Sequence, residues 1–313
     1  MYDVVVRRER RVVRELRVSL SKGLDFSLND APHVLVSGST GSGKSYLMTG
    51  VIDDLMRDYA GDVKFLMIDP KKVEFWKYRY SCGLLLPVMY DMQCVRGVLD
   101  WLVDEVECRY DWLRRCNAVA WSDLSDEDRK RYETEGGSKI VWSGYIVLCV
   151  DELSDLMMYD RSSDRNEVRE YCRGMSWTDS DGVKRRGMKI IIKGRGKIEE
   201  CLVRIAQKAR AAGIHMILAT QRPDAKVLSG LLRVNVPTRI CLKVQSMMDS
   251  IIGLGVNLGD VRKNGGYVDG RDKRDGRDGS SENGCIRGCH ELLGKGDGIL
   301  NMGGKCTRFQ YEK

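Results

Sequence analysis

A chain of 313 residues, 42% hydrophobic and 31% charged, can bury a sizeable core, and no apolar run approaches the roughly 20 residues a membrane span requires. Eleven cysteines, an odd number with several inside apolar runs (Cys149, Cys241), argue against a disulfide framework and for the reduced thiols of a cytosol. The net charge of +7 permits a polyanionic partner without requiring one.

Residues 1–31 read as a basic N-terminal arm, with Arg7, Arg8, Arg10, Arg11, Arg14 and Arg17 set against Glu9 and Glu15. No apolar stretch follows them, so they are not a secretory leader. The cluster suits a solvated helix face or a phosphate-contacting arm. Val34–Val36, preceded by His33, reads as a buried strand that ends in a Gly-rich turn, and Ser45–Tyr59 as the helix after it. Val63–Ile68 is a second buried strand, ending in Asp69-Pro70-Lys71-Lys72; Leu84–Val88 is an apolar run broken by Pro87. Asp91–Cys116 predicts a long amphipathic helix with Val95, Val98, Leu99, Leu102, Val103 and Val106 on one stripe. Residues 117–139 are polar and read as loop.

Tyr145–Val150 is a third buried strand, ending in Asp151-Glu152. A hydrophilic insertion follows at about 159–197. Ile198–Ala212 predicts a helix with Ile198, Leu202, Ile205, Ala209 and Ala212 facing inward, stopped by Gly213. Ile214–Thr220 is a fourth strand, ending in Gln221-Arg222-Pro223, and Arg239–Val244 a fifth. Residues 263–284, rich in Gly, Asp, Arg and Lys, read as a loop-like insertion, and Gly298–Met302 as the last strand. Buried strands alternating with helices predict an α/β domain over 32–313, its mainly parallel sheet covered by helices on both faces.

Gly38, Gly43, Lys44 and Ser45 fit G-x-x-x-x-G-K-[ST]. The strand before and the helix after make this a phosphate cradle, with Gly38, Ser39, Thr40, Gly41, Ser42, Gly43, Lys44, Ser45 and Tyr46 as the nucleotide-binding stretch. Lys44 is expected to reach the β- and γ-phosphates of ATP, and the Ser45 hydroxyl to ligate Mg²⁺. Asp151, at the end of a buried strand, is the expected second Mg²⁺ residue, and Glu152 a general base for water. An Asp-Glu pair also suits a helix start. That alternative does not explain why the pair follows a buried strand in a chain with a phosphate loop. Gln221, at another strand end, is a γ-phosphate sensor or a polar loop residue. The strand between the two motifs matches the RecA-like ATPases rather than the small GTPases.

These residues resemble the motor domain of the FtsK/SpoIIIE-type DNA translocases. The likeness runs through PHVLVSGSTGSGKS (32–45), MIDPKKVEF (67–75), LPVMYDM (86–92), VLCVDELSDLMM (147–158), 204–240 and LLGKGDGIL (292–300). It implies a RecA-like fold, a homohexameric ring, and ATP-driven movement of double-stranded DNA through the central pore. It also implies roles for single residues: Arg210 as an arginine finger reaching a neighbouring subunit's ATP, Gln221 as the sensor, and Arg222, Lys226 and Arg233 as DNA contacts. From its sequence alone, Arg210 would otherwise be a surface arginine near a helix C-terminus.

The chain departs from the family where S-K-x-D-S-R is usual. Here the stretch is Ser246-Met247-Met248-Asp249-Ser250-Ile251, with both basic positions apolar. Seven Lys and Arg between Gly182 and Ile198 (Lys184, Arg185, Arg186, Lys189, Lys193, Arg195, Lys197), unrelieved by any acid, equal the whole net charge and suggest a basic hairpin that touches DNA or is simply solvated. Cys285, Cys289, His290 and Cys306 could supply four soft ligands to zinc, but adjacent Cys289 and His290 suit one tetrahedron poorly. The expected protein is a cytoplasmic motor without the family's membrane and winged-helix parts, relying on a recruiting partner. A coupling or secretion ATPase with protein cargo, and a nucleotide-gated DNA-loading factor that does not travel, are the alternatives.

Overall fold

The computed structural model describes residues 15–137, 140, 142–162, 176–178, 184–186, 197–256 and 289–311. The chain opens with a hairpin, β1 (Arg17–Ser21) and β2 (Leu24–Ser27), followed by β3 (His33–Ser37), α1 (Lys44–Asp58), β4 (Val63–Ile68) and α2 (Met92–Arg115). Next come α3 (Asp126–Glu135), β5 (Tyr145–Val150), α4 (Leu153–Ser162), the short strands β6 (Ser176–Thr178) and β7 (Lys184–Arg186), α5 (Ile198–Lys208) and β8 (Ile214–Thr220). The described chain ends with α6 (Gly230–Asn235), β9 (Thr238–Leu242), α7 (Met247–Leu254), β10 (Asp297–Met302) and β11 (Lys305–Gln310).

One seven-stranded sheet organises the protein, in the order β11-β10-β9-β3-β8-β5-β4. The five strands from β9 to β4 run parallel, and β10 and β11 extend the sheet antiparallel. Strand alternation sorts the apolar residues into two layers. Val34, Val36, Phe65, Met67, Val147, Cys149, Ile217 and Ala219 pack with Leu47, Met48, Val51, Ile52 and Leu55 of α1. Leu35, Leu66, Ile68, Leu148, Val150, Met216 and Leu218 pack on the other face with Val95, Leu99 and Leu102 of α2 and Leu202 and Ile205 of α5. Both faces are thus covered, as continuous apolar strands require. After β3 the chain crosses to the far edge at β4 and works back through β5 and β8. The C-terminal ends of β3, β8, β5 and β4 therefore meet beside the topological switch, where such sheets bind ligands.

A buried ion pair braces the second layer. Arg109 Nε donates to Glu105 Oε1 at 2.8 Å, while its Nη1 and Nη2 donate to the carbonyls of Ala212 and Trp142, both at 3.0 Å. Glu105 also accepts from the Tyr132 hydroxyl at 2.9 Å. Each guanidinium nitrogen of Arg109 thus has a partner, which offsets part of the cost of charge in a core. The network ties α2 and α3 to the turn that carries Arg210.

Four expectations need correction. Residues 15–31 are not a loose arm or a helix face: Leu16, Val18, Leu20, Phe26 and Leu28 are buried in the α1 layer, and Arg17 lies on a strand, pairing with Asp25 at 2.9 Å. The body thus begins near residue 16 rather than 32; the earlier arginines lie outside the described residues. The stretch 117–139, read as loop, contains α3, whose N-cap Ser125 accepts from the Asp128 N–H at 3.1 Å with three acids in its first turn. Gly298–Met302 is not the last strand: Gly303 and Gly304, both at positive φ, turn the chain back into β11. Finally, α4 continues to Ser162, inside the expected insertion, where β6 and β7 pair antiparallel with Ser176 opposite Arg186. Residues 187–196 and 263–284 lie outside the described residues.

Candidate functional site

The phosphate loop leaves β3 and is tied down by backbone on both sides. The Gly38 N–H donates to the Thr220 carbonyl at 3.2 Å, and the Ser39 N–H to the Lys243 carbonyl at 2.8 Å. From below, the Gly296 N–H donates to the Ser42 carbonyl at 2.8 Å. Gly43 has φ +98°, and a Cβ there would stand 2.5 Å from the Gly296 nitrogen, so glycine is required twice over. Gly43 caps α1 without a side chain, and no acid occupies the first turn. The positive end of the helix and its free N–H groups are therefore left for an external anion.

Lys44 is buried, and its Nζ donates to the Asp151 carbonyl at 2.9 Å and to Asp151 Oδ1 at 3.2 Å. The contact crosses the end of β8, because β8 separates β3 from β5; Asp151 is not on the strand next to the loop, as a direct neighbour would be. Burial pushes the Asp151 carboxyl above the usual range; Lys44 opposes the shift, and Glu74 and Asp69 add to it. The Ser45 hydroxyl donates to Glu74 Oε1 at 2.5 Å.

Glu152 is 1% exposed and held by several donors. Its Oε1 accepts from Ser154 Oγ at 2.7 Å, Thr220 Oγ1 at 2.9 Å and the Gln221 N–H at 3.2 Å; its Oε2 lies 3.5 Å from Lys71 Nζ. Gln221 joins the same constellation, its Oε1 accepting from Thr40 Oγ1 at 3.2 Å. Tyr46 follows Ser45 on α1 and is half-exposed, edge-on to Tyr311 with ring centroids 5.6 Å apart.

Lys44, Ser45, Asp151, Glu152 and Gln221 thus come together at one sheet edge. Arg210 does not join them. It precedes β8, whereas Gln221 follows it, and a strand of seven residues spans roughly 20 Å. Arg210 is exposed at the opposite edge, where its Nε donates to the Asn29 carbonyl at 2.8 Å and its Nη2 lies 3.6 Å from Asp30. Arg222 and Lys226 are exposed in the loop after β8, on the nucleotide side, and Arg233 lies half-buried on α6. Met247 and Ile251 stand at the two positions where basic residues are usual, Met247 exposed and Ile251 half-buried on α7.

Sequence reasoning missed the loop after β4. Asp69 is buried, and its Oδ2 accepts from the Phe75 N–H at 3.0 Å, closing a loop that reaches Glu152 with Lys71 and Ser45 with Glu74. Asp69-Pro70-Lys71-Lys72 stood in plain view at a strand end, the same signal that singled out Asp151 and Gln221. Asp69 Oδ1 is buried with no hydrogen-bond partner among the described residues. Ser45, Asp151, Glu74 and Asp69 are hard oxygen donors, as Mg²⁺ prefers. Among the described residues no three His, Cys, Asp or Glu side chains form a metal cage by themselves. Mg²⁺ ordinarily keeps several waters and shares the substrate's phosphates. Cys285, part of the alternative zinc set, lies outside the described residues.

The model of the FtsK/SpoIIIE family matches residues 21–225. The DNA translocase FtsK of Lactococcus lactis subsp. cremoris (strain MG1363) is 38% identical over 248 residues, which are 77% of this chain and 28% of that protein. The DNA translocase FtsK of Streptococcus pneumoniae (strain ATCC BAA-255 / R6) is 35% identical over 243 residues, 75% of this chain and 27% of that protein. The chain therefore spans a little over a quarter of the length of these relatives. Among solved structures, the pCW3 conjugation coupling protein TcpA, monomer form with ATPγS, superposes with a TM-score of 0.63 at 24% identity, covering 97% of this chain and 66% of that one. The cytoplasmic domain of the Thermomonospora curvata type VII secretion ATPase EccC gives 0.62 at 20% identity, covering 97% and 29%. The fold is that of the P-loop ATPases. Among the described residues no helix is long and apolar enough to cross a membrane.

Proposed function

This chain belongs to the FtsK/SpoIIIE family, and on that premise we propose that it is an ATP-driven motor for double-stranded DNA, working as a homo-oligomeric ring, most simply a hexamer, in the cytoplasm. The observation that carries the reading is the division of the site between two sheet edges. Lys44, Asp151, Glu152 and Gln221 stand at one edge and Arg210 at the other, so one subunit's nucleotide edge needs the arginine edge of the next.

The chemistry is in-line attack of water on the γ-phosphate. Lys44 leaves Asp151 to meet the phosphates, and the N–H groups of Gly41, Gly43, Lys44 and Ser45 take the negative oxygens. Ser45 and Asp151 would hold Mg²⁺, which would supply neutralisation of the phosphates' negative charge. Glu152, already ionically paired with Lys71, orients the water and accepts its proton. Gln221 bridges the Glu152 side of the site to the phosphate loop through Thr40, which suits a residue that reports the state of the γ-phosphate. Arg210 of the neighbouring subunit meets the charge spread over the transferring phosphoryl group, a task its planar guanidinium fits. Arg222, Lys226 and Arg233 are the DNA contacts, with Lys184, Arg185 and Arg186 of β7 as further candidates.

Long linear double-stranded DNA is expected to stimulate steady-state ATP hydrolysis, and the stimulation to fade with salt. Each phosphate contact contributes a slope of about 0.9 in the logarithm of affinity against the logarithm of salt concentration. Hydrolysis indifferent to DNA at every salt concentration would instead favour a coupling or secretion ATPase with protein cargo. Met247, which is exposed, and Ile251, which is half-buried, are apolar where the family is usually basic and are the specific support for that second reading.

A further inference from the structure

We propose that Glu74 is a positioning residue for the divalent metal of the nucleotide site, acting through the Ser45 hydroxyl; the inference rests on the nucleotide-site reading above. A serine hydroxyl has one proton and two lone pairs. If the proton points at the metal site, the oxygen is a poor ligand. Here the proton is claimed: Ser45 Oγ lies 2.5 Å from Glu74 Oε1, the short distance of a hydroxyl donating to a carboxylate. Both lone pairs of Ser45 are then left for a cation. Groups that orient a metal ligand in this way commonly matter almost as much as the ligand itself.

The loop that delivers Glu74 is built for placement. Its base is closed by the Asp69 Oδ2 bond to the Phe75 N–H, with both residues buried. The Asp69 N–H donates to the Met89 carbonyl at 2.9 Å, and the Lys72 N–H to the Asp69 carbonyl at 3.2 Å. Lys72 turns the loop at φ +59°, in the left-handed region that non-glycine residues seldom adopt. Glu74 therefore hangs from an anchored residue, Phe75, rather than from a free strand. The same loop sets Lys71 beside Glu152, so one segment presents a cation to the catalytic carboxylate and an anion to the metal-binding hydroxyl.

The test is binding of a fluorescent non-hydrolysable ATP analogue, titrated against Mg²⁺, for wild type, Glu74→Ala and Glu74→Gln. Glu74→Ala is expected to need about 10- to 100-fold more Mg²⁺ for half-maximal enhancement, with affinity in EDTA unchanged from wild type. Glu74→Gln, whose carbonyl still accepts from Ser45, falls between the two. In a Ser45→Ala background, Glu74→Ala adds no further shift, which a merely structural role would not reproduce. Mn²⁺ paramagnetic resonance on the same proteins reads metal affinity directly and is expected to follow the same order. A Glu74→Ala titration that overlays wild type overturns the inference and leaves the nucleotide site standing. A wild type that binds no nucleotide overturns both.

Discussion

Replacing Arg210 with alanine is expected to lower ATP turnover by about a thousandfold or more while leaving nucleotide binding intact, the scale on which an arginine finger acts. Local sequence argues the opposite, since an arginine near a helix C-terminus is ordinarily a surface residue worth little. Its partners here are the carbonyl of half-buried Asn29 and the exposed Asp30 carboxylate, surface contacts of a kind that contribute about 1 kcal/mol or less to stability. The distance along β8 is what gives it a role. An arginine at the wrong edge of its own sheet either does nothing or serves a neighbour. Mixing separates these outcomes. Arg210→Ala protein keeps an intact nucleotide edge and Glu152→Gln protein keeps an intact arginine, so two inactive proteins together should recover part of the activity. An inactive mixture of proteins that assemble normally would refute action across the interface, as would wild-type turnover by Arg210→Ala.

The second large effect is expected at Glu152. Glu152→Gln should bind ATP but hydrolyse it about 10²- to 10⁴-fold more slowly, the usual contribution of general-base catalysis. The substitution keeps shape and changes hydrogen bonding. The hydroxyls of Ser154 and Thr220 can rotate to suit an amide, but the Gln221 N–H cannot, and Lys71 loses its nearest carboxylate. A stability cost of about 1–3 kcal/mol is expected if the amide nitrogen is forced against that N–H. Single-turnover hydrolysis, nucleotide binding and thermal unfolding of the same sample separate the chemical loss from the structural one. Single-turnover hydrolysis at the wild-type rate would remove Glu152 from the chemistry.

The sheet was legible because buried parallel strands are unbroken apolar runs: Val63–Ile68, Tyr145–Val150 and Ile214–Thr220 stand where they were expected, to the residue. The nucleotide edge was legible for a related reason. Polar residues follow those runs immediately, and the sheet brings their ends together. Elements failed where their signal was not apolar periodicity. Helix α3 is almost wholly polar and declares itself only through Ser125 and the acids after it. The β1–β2 hairpin was hidden by neighbouring arginines, although Val18 and Leu20 alternate correctly for a strand with one buried face. Strand β11 was missed because Lys305–Gln310 is mostly polar and only half-buried. The loop after β4 was missed for another reason. Glu74 and Lys71 act by pairing with residues tens of positions away, and no local pattern states which side chain a loop will touch. Arg210 was the reverse case: its role was named by resemblance alone, and the fold sets it at the edge opposite Lys44 and Glu152.

Hydrolysis is expected to be coupled to movement along duplex DNA. The most direct measurement is displacement of a third strand from a triplex set at a distance along linear double-stranded DNA, followed with ATP, with a non-hydrolysable analogue, and with the Glu152→Gln protein. Displacement is expected with ATP alone, after a lag that lengthens with the distance from the loading end. ATP hydrolysis and DNA binding without displacement at any distance would contradict it, leaving a nucleotide-gated clamp that holds DNA and does not travel.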